Sequence, residues 1–210
     1  MNFSNSIQIN IIGDFAVGKT SIINSFSSLG FNDITISNIG IDKYVIPIYI
    51  ENKEIKLNIF DTAGQERYHS LTLNSIRKCE GLILVYSRND HKTFDNISNV
   101  WINSINEIIN LNQTPCVLVE NKCDLDLDSN IKEDKINELI KKYNLLFIRA
   151  SAKENKNIKE IFQNLAEMIV NKKNQIYILD DSNKIKEIIN INFKLNKTNL
   201  KNKNNKKCSC

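Results

Sequence analysis

The chain has 210 residues, of which 41% are hydrophobic, and its formal net charge at pH 7 is +4. This length allows one well-buried domain and excludes two of ordinary size. No apolar run reaches the roughly 18 residues of a membrane span, and the first residues lack the basic and apolar pattern of a secretion signal. We therefore expect one cytosolic domain followed by a tail.

The first predicted elements enclose a glycine-rich loop. Isoleucines over 7–12 predict a strand, residues 21–26 predict a helix, and the segment between them fits the pattern G-x-x-x-x-G-K-[ST]. Backbone N–H groups of such a loop, together with the helix N-terminus, hold a polyphosphate. Lys19 would reach the outer phosphates and the Thr20 hydroxyl would bind Mg²⁺. The predicted nucleotide-binding residues here are Gly13, Asp14, Phe15, Ala16, Val17, Gly18, Lys19, Thr20 and Ser21.

A loop and a hairpin are predicted next. Residues 30–38 are polar with little periodicity, which predicts a loop long enough to have a function. Apolar runs over 44–50 and 55–60 predict an antiparallel hairpin, in which Pro47 indicates an edge strand. Asp-Thr-Ala-Gly-Gln-Glu at 61–66 follows the hairpin directly. We interpret it as a second loop that faces the phosphates.

From residue 81 onward, predicted strands and helices alternate. The strands are 81–86, 115–119 and 145–148, and the helices are 93–110, 131–143 and 158–170. This alternation predicts an α/β domain with a mainly parallel sheet and helices on both faces. The ligand crevice of such a sheet lies beyond the carboxyl ends of its strands, where the motif loops fall. Trp101, inside the second helix, is predicted to lie in the core.

Two short motifs at strand ends indicate the base. Asn121, Lys122 and Asp124 follow one strand, and Ser151, Ala152 and Lys153 follow the next. A carboxylate accepts two N–H donors at once, which matches the donors of the guanine edge and not the pattern of adenine. Asp124 is therefore the candidate specificity residue, and a backbone N–H of 151–153 would bind the guanine carbonyl oxygen. Phe31 would stack on the base, with ordinary packing as the alternative.

The cysteines and the charge separate the body from the tail. Cys79, Cys116 and Cys123 occur singly, which predicts reduced packing residues. Residues 1–170 contain 18 Lys and Arg against 21 Asp and Glu, whereas residues 171–210 contain 10 against 3. A basic tail on a mildly acidic body predicts an anionic surface as its partner. The composition of this tail favours disorder, with a weak amphipathic segment over 184–195 as the alternative.

Several segments together resemble the Rab family of the Ras-superfamily small GTPases over residues 5–170. They are Ile39-Gly40-Ile41-Asp42, residues 61–68, the spacing to Trp101, and the terminal Cys208-Ser209-Cys210. The resemblance implies a P-loop small GTPase fold, with a mostly parallel six-stranded sheet and one antiparallel edge strand. It implies a guanine-nucleotide-binding domain over 1–170, a tail over 171–210, GTP and GDP as nucleotides, and Mg²⁺ as cofactor.

The resemblance also implies roles in hydrolysis. Asp61 would help to hold Mg²⁺ through water, Gly64 would donate its N–H to the γ-phosphate, and Gln65 would orient the attacking water. Lys19 is the second catalytic candidate, and Gln65 has the alternative of an exposed polar residue. Loss of the γ-phosphate would release the segments 32–42 and 62–78, which form the switch.

A lipid anchor and protein partners follow from the same resemblance. Cys208 and Cys210 would carry two geranylgeranyl groups, with an unmodified thiol pair as the alternative. Two lipid chains combined with basic residues give stable anchoring, and the basic residues here are Lys194, Lys197, Lys201, Lys203, Lys206 and Lys207. We expect the cytoplasmic side of an intracellular membrane, with a cytosolic pool. The expected partners are an exchange factor, an activating protein, a GDP-dissociation inhibitor and effectors, with no nucleic acid and a monomeric state.

Four positions depart from the family pattern. Asn38 replaces the Thr that ligates Mg²⁺, although its carboxamide oxygen remains a suitable ligand. Phe15 replaces a small residue beside Gln65. The replacements at Asn38 and Phe15 both predict slow hydrolysis of GTP. Glu120 replaces a Gly before Asn121, and Lys43 replaces a Phe on the effector-facing surface.

Three functional classes are compatible with these residues. The favoured one is a membrane-anchored GTP/GDP switch with slow hydrolysis that regulates vesicle trafficking. The alternative is a Rab-like scaffold that binds nucleotide and scarcely hydrolyses it, which Asn38 and Phe15 favour. An ATP-dependent P-loop kinase is disfavoured by Asp124 and by the lack of a lid-like arginine cluster.

Overall fold

The structure, a computed structural model, describes residues 6–27, 34–38, 41–61, 75–126, 128 and 131–176, with the backbone alone at 34–38 and 41. By its internal contacts the chain divides into one unit over Met1–Ile169 and a second over Val170–Cys210. Across the described ranges, no helix is long and apolar enough to cross a membrane.

One sheet organises the first unit, and the described residues contribute seven strands to it. The strands are β1 (Ser6–Ile12), β2 (Ile34–Asn38), β3 (Ile41–Ile50), β4 (Lys53–Asp61), β5 (Gly81–Ser87), β6 (Cys116–Asn121) and β7 (Leu146–Arg149). They lie in the order β2-β3-β4-β1-β5-β6-β7. All pairs from β4 to β7 are parallel, and β3 is antiparallel to both of its neighbours. The predicted mostly parallel α/β sheet is confirmed, and β3 and β4 form the predicted hairpin.

β2 corrects part of the loop predicted over 30–38. Its backbone pairs antiparallel with β3, with Ile34 opposite Tyr44 and Asn38 opposite Ile41. Three β-branched residues over 34–36 suit a strand, and the pairing partner β3 begins only three residues after Asn38. The sheet thus gains a seventh strand beyond the six expected. Pro47 lies beyond the segment of β3 that pairs with β2, in keeping with its predicted edge position.

The helices follow the predicted order with altered bounds. They are α1 (Lys19–Ser27), α2 (His91–Asn96), α3 (Ile102–Asn106), α4 (Glu133–Tyr143) and α5 (158–176). A π-helical turn, Ile97–Trp101, joins α2 to α3, so the helix predicted over 93–110 is shorter and interrupted. α4 has acidic residues in its first turn, two lysines in its last turn and a left-handed Asn144 after it. These features match the helix dipole and the usual C-terminal cap.

The core lies on both faces of the sheet. Every residue of β5 and β6 is buried, as parallel strands covered on two faces require. On one face, Phe94 and Trp101 join residues of α4 in a single apolar cluster, and Trp101 is only 5% exposed. Phe26 of α1 stacks on Phe162 of α5 at a ring-centroid distance of 4.0 Å. The predicted core position of Trp101 is confirmed.

The three described cysteines are free thiols. Burial raises the pKa of Cys79 to about 12 and raises the pKa of Cys116 far above its usual value. A thiol that stays protonated is a poor nucleophile and a poor metal ligand. Cys79 and Cys116 are packing residues, as predicted.

Candidate functional site

The loop between β1 and α1 is packed tightly against the ends of β5 and β6. A Cβ on Gly13 would lie 2.1 Å from the Val85 carbonyl oxygen, and one on Gly18 would lie 2.3 Å from Nδ2 of Asn121. Gly18 also has a φ of +97°, a conformation that L side chains rarely adopt. Larger residues would therefore displace this loop, which explains both glycines of the motif.

Lys19 is buried, with 5% of its surface exposed, although its side chain carries a positive charge. Its ammonium group donates to the carbonyl oxygens of Gly13 at 2.8 Å and Asp14 at 2.7 Å. The ammonium group thus lies beside the phosphate loop at the N-terminal end of α1, where the helix dipole is also positive. This arrangement attracts anions.

Thr20 and Asp61 meet beside this loop. The Thr20 hydroxyl donates to Oδ2 of Asp61 at 2.6 Å, and Asp61 is only 1% exposed at the end of β4. Two hard oxygen ligands therefore lie close together, which suits Mg²⁺. Among the described residues, no group of three His, Cys, Asp or Glu could hold a metal ion. Mg²⁺ that shares its coordination with phosphates needs no such group, so the pair fits this ion.

Asn121 connects the loops around the site. Its Nδ2 donates to the Val17 carbonyl at 2.8 Å, and its Oδ1 accepts the N–H of Ala152 at 3.2 Å. The phosphate loop, the 121–125 loop and the 151–153 loop are thus joined by one carboxamide that is 1% exposed. The N–H of Ala152, a donor predicted for the base, is engaged by Asn121 in this structure.

The Asp124 carboxylate is held by a hydrogen bond from Ser151, and the exposed Lys153 side chain lies near it. Oδ1 accepts from the Ser151 hydroxyl at 2.6 Å, and Nζ of Lys153 lies 3.8 Å from Oδ2. The Ser151 hydrogen bond is the main cause that lowers the pKa of Asp124. Asp124 is therefore an ionised, oriented acceptor at neutral pH.

Two adjoining cavities connect these residues. One, of about 410 Å³, is lined by Asn121, Asp124, Ala152 and other residues of the two motif loops. The other, of about 280 Å³, is lined by Phe15, Lys19, Thr20 and their neighbours. Both are lined by Gly18, Ser21 and Lys122. The structure thus brings the predicted phosphate and base residues together around one continuous crevice.

Sequence reasoning missed two residues that position the phosphate loop. Asp14 accepts from the indole N–H of Trp101 at 2.7 Å and from Nδ2 of Asn96 at 2.6 Å. The Asp14 side chain therefore holds the loop against α2 and the π-helical turn. The sequence pattern predicts packing alone for Trp101, the only tryptophan of the chain, and its polar edge is the signal that points further.

Several predicted site residues lie outside the described residues. They are Phe31, Gly64, Gln65, Cys208 and Cys210. Asn38 is described by its backbone alone, as the last residue of β2. The predicted switch segment 32–42 includes β2 and the first residues of β3.

Comparisons with known proteins cover most of the chain. A model of the Ras family matches residues 8–171. The chain is 38% identical over 168 residues to Ras-related protein Rab-13 of Bos taurus, covering 80% of this chain and 82% of the relative. It is 39% identical over 173 residues to Rab-8B of Bos taurus, covering 82% of each chain. It is 40% identical over 162 residues to Rab-10 of Diplobatis ommata, covering 77% and 80%.

Proposed function

The chain belongs to the Ras family and is a Rab-type small GTPase, and from this premise we propose that it is a GTP/GDP switch that regulates vesicle trafficking. The observation that supports this most directly is the crevice itself. One end holds the buried ammonium group of Lys19 at the N-terminus of α1, and the other end holds the oriented carboxylate of Asp124. The two ends suit the two ends of a guanine nucleotide.

Asp124 provides the base specificity in this proposal. Its two oxygens can accept the N1–H and the exocyclic amine of guanine side by side. Adenine offers no such pair of donors. If adenine were bound, the polar groups of the site that face the base would be left unpaired. Guanosine nucleotides are therefore the substrates.

Hydrolysis depends on charge and position, because phosphoryl transfer leaves little covalent chemistry for the protein. Lys19 would place its ammonium group beside the outer phosphates. Thr20 would hold Mg²⁺ directly, Asp61 through water, and Asn38 with its carboxamide oxygen. When bound, Mg²⁺ neutralises phosphate charge. Gln65 would orient the attacking water and Gly64 would donate its N–H to the γ-phosphate, as the family resemblance implies.

We expect the hydrolysis to be slow. Phe15 is 69% exposed and lines the same cavity as Lys19 and Thr20. An aromatic ring at this position occupies space that water or an activating protein's arginine would use. The exposed ring also favours the second candidate, a scaffold that binds nucleotide and scarcely hydrolyses it. Single-turnover hydrolysis of GTP by the purified protein separates the two functions.

The tail over 171–210 completes the proposal. Geranylgeranyl groups on Cys208 and Cys210, with the basic residues before them, would hold the protein on the cytoplasmic side of an intracellular membrane. A GDP-dissociation inhibitor would maintain the cytosolic pool, and exchange factors, activating proteins and effectors would act on residues 1–170.

Calorimetry with Mg²⁺ present tests the nucleotide assignment. We expect GDP to bind at least about 100-fold more tightly than ADP, because only guanine satisfies Asp124. Equal affinities for GDP and ADP would overturn the proposed function.

A further inference from the structure

A buried carboxylate lies directly behind the 121–125 segment, which we call the base-binding loop. Glu120 is fully buried, and it is the residue immediately before Asn121. Its Oε2 accepts from the Tyr86 hydroxyl at 2.8 Å. Its Oε1 accepts from Nη1 of Arg88 at 2.5 Å and from Nε of Arg149 at 3.2 Å. An isolated buried carboxylate would be costly, and these three donors compensate for its lost hydration.

The strand register brings this group together. Tyr86, Glu120 and Arg149 are direct neighbours across β5, β6 and β7, so their side chains leave the same face of the sheet. Arg88 follows Tyr86 by two residues and can return to that face. Burial is the main cause that raises the pKa of the Tyr86 hydroxyl far above its usual value, and the negative charge of Glu120 is the second cause. Tyr86 therefore remains a neutral donor to Glu120.

Arg88 connects this carboxylate to the base-binding loop. Its Nε donates to the Leu125 carbonyl at 3.1 Å, and its backbone N–H donates to the Asn121 carbonyl at 2.9 Å. Arg88 thus holds the first and last residues of the 121–125 segment. Asp124 lies between these two points, one residue before Leu125.

Arg149 contacts the same carboxylate but leads elsewhere. Its Nη2 donates to Glu133 at the start of α4, and its guanidinium lies over the ring of Phe147. The two arginines therefore share Glu120, and of the two it is the Arg88 side chain that donates to the 121–125 segment.

We infer that Glu120 and Arg88 are positioning residues for guanine recognition: Glu120 fixes the Arg88 guanidinium, and Arg88 holds the 121–125 segment so that Asp124 faces the base. This inference rests on the proposed function. The two groups act through Asp124 and not by contact with the nucleotide.

The test compares the dissociation of GDP and of inosine diphosphate, which lacks the exocyclic amine, from the full-length protein. In the unmodified protein we expect GDP to dissociate roughly 10-fold more slowly, because the amine donates to a charged acceptor. In Arg88→Met, which keeps the aliphatic stem, we expect this ratio to fall at least about 3-fold, because a small misplacement weakens an oriented contact strongly.

Arg149→Met is the matched control. It removes a donor from the same carboxylate, so it should lower the thermal midpoint as Arg88→Met does while leaving the GDP to inosine diphosphate ratio unchanged. If Arg88→Met does not fold, Arg88→Lys should show the same fall in the ratio, because an ammonium group cannot reproduce the planar fork that reaches Glu120 and Leu125 together.

An unchanged ratio in the Arg88 variant would overturn the inference while leaving the proposed function standing. An equal fall in the Arg149 variant would also overturn it, since the effect would then be general destabilisation. If the unmodified protein does not prefer GDP to ADP, the proposed function and the inference both fail.

Discussion

At the scale of single residues, we expect the replacement of one carboxylate oxygen of Asp124 to change which base the protein binds. Both of its oxygens are acceptors, and the Ser151 hydroxyl keeps one of them in place. Asp124→Asn replaces an acceptor with a donor, so we expect GDP affinity to fall roughly 10- to 100-fold, the usual cost of losing a hydrogen bond to a charged group. Xanthosine diphosphate should gain affinity, because its C2 oxygen accepts where guanine donates.

Competition between the two nucleotides for the purified variant measures this exchange. Asp126→Asn is the control, since Asp126 is exposed and directly follows the 121–125 segment. The assignment of Asp124 fails if the control and the variant change base preference alike.

Phe15 allows a second test at this scale. Phe15→Ser should increase the rate of intrinsic GTP hydrolysis, by about 10-fold if the ring displaces a reacting group from its best position. Single-turnover kinetics with and without an activating protein would measure it. Tyr49→Ser is a suitable control, because Tyr49 is also exposed and lies near the far end of β3. A rate that stays at the original value would show that the Phe15 ring is not the obstacle.

Individual residues were predictable where the chemistry is local in sequence. The spacing of Gly13, Gly18 and Lys19, between a predicted strand and a predicted helix, was enough to predict a phosphate loop. The contact between Asp14 and Trp101 joins residues 87 positions apart. No local pattern reports such a contact, which is why the structural role of the indole N–H was missed.

At the scale of elements, the helical segment 91–106 is attached to the phosphate loop through Trp101. Trp101→Phe keeps an aromatic ring and removes the donor to Asp14. We expect the free energy of unfolding to fall by about 2 kcal/mol, within the range for a hydrogen bond to a charged group. GDP should also dissociate faster, which a fluorescent GDP analogue would measure.

A double-mutant cycle with Asp14→Ala separates this contact from general packing. If the indole acts through Asp14, the double variant should dissociate GDP no faster than Asp14→Ala alone. Fully additive effects would contradict a shared hydrogen bond.

Element bounds were less predictable than element types. The strands β5 and β6 are buried throughout and mainly apolar, with polar residues at their carboxyl ends, so their own composition identifies them. β2 depends on pairing with β3, and the π-helical turn at 97–101 coincides with the approach of Trp101 to Asp14. The pairing of β2 and the contact of Trp101 with Asp14 become visible only in the folded chain.

At the scale of the whole molecule, the alternation of strands and helices predicted the sheet and the edge at which the loops meet. This edge collects the phosphate loop, Asp61, the 121–125 segment and the 151–153 loop, because the parallel strands all end there. The buried charge cluster around Glu120 lies behind that edge. One of its arginines follows β5 and the other is the last residue of β7, so only the three-dimensional arrangement shows that they share one carboxylate.

Membrane attachment also belongs to this scale. Replacing both terminal cysteines, Cys208→Ser and Cys210→Ser, should shift the protein from membranes to the soluble fraction. Tail lysines alone contribute about 1 kcal/mol each near an anionic leaflet, which is too little for stable anchoring. Cell fractionation of an N-terminally tagged protein would measure the shift, with Ser209→Ala as control. Equal membrane fractions for the double variant and the original would refute the lipid anchor.

The single carboxamide of Asn121 has a consequence for how the crevice can open. It joins the backbone of Val17 on the phosphate side to the backbone of Ala152 on the base side. A regulator that displaces only one of these loops is therefore expected to weaken the contacts at the opposite end of the nucleotide as well. Release is accordingly expected as one concerted event, and a regulator need not touch the purine to free it.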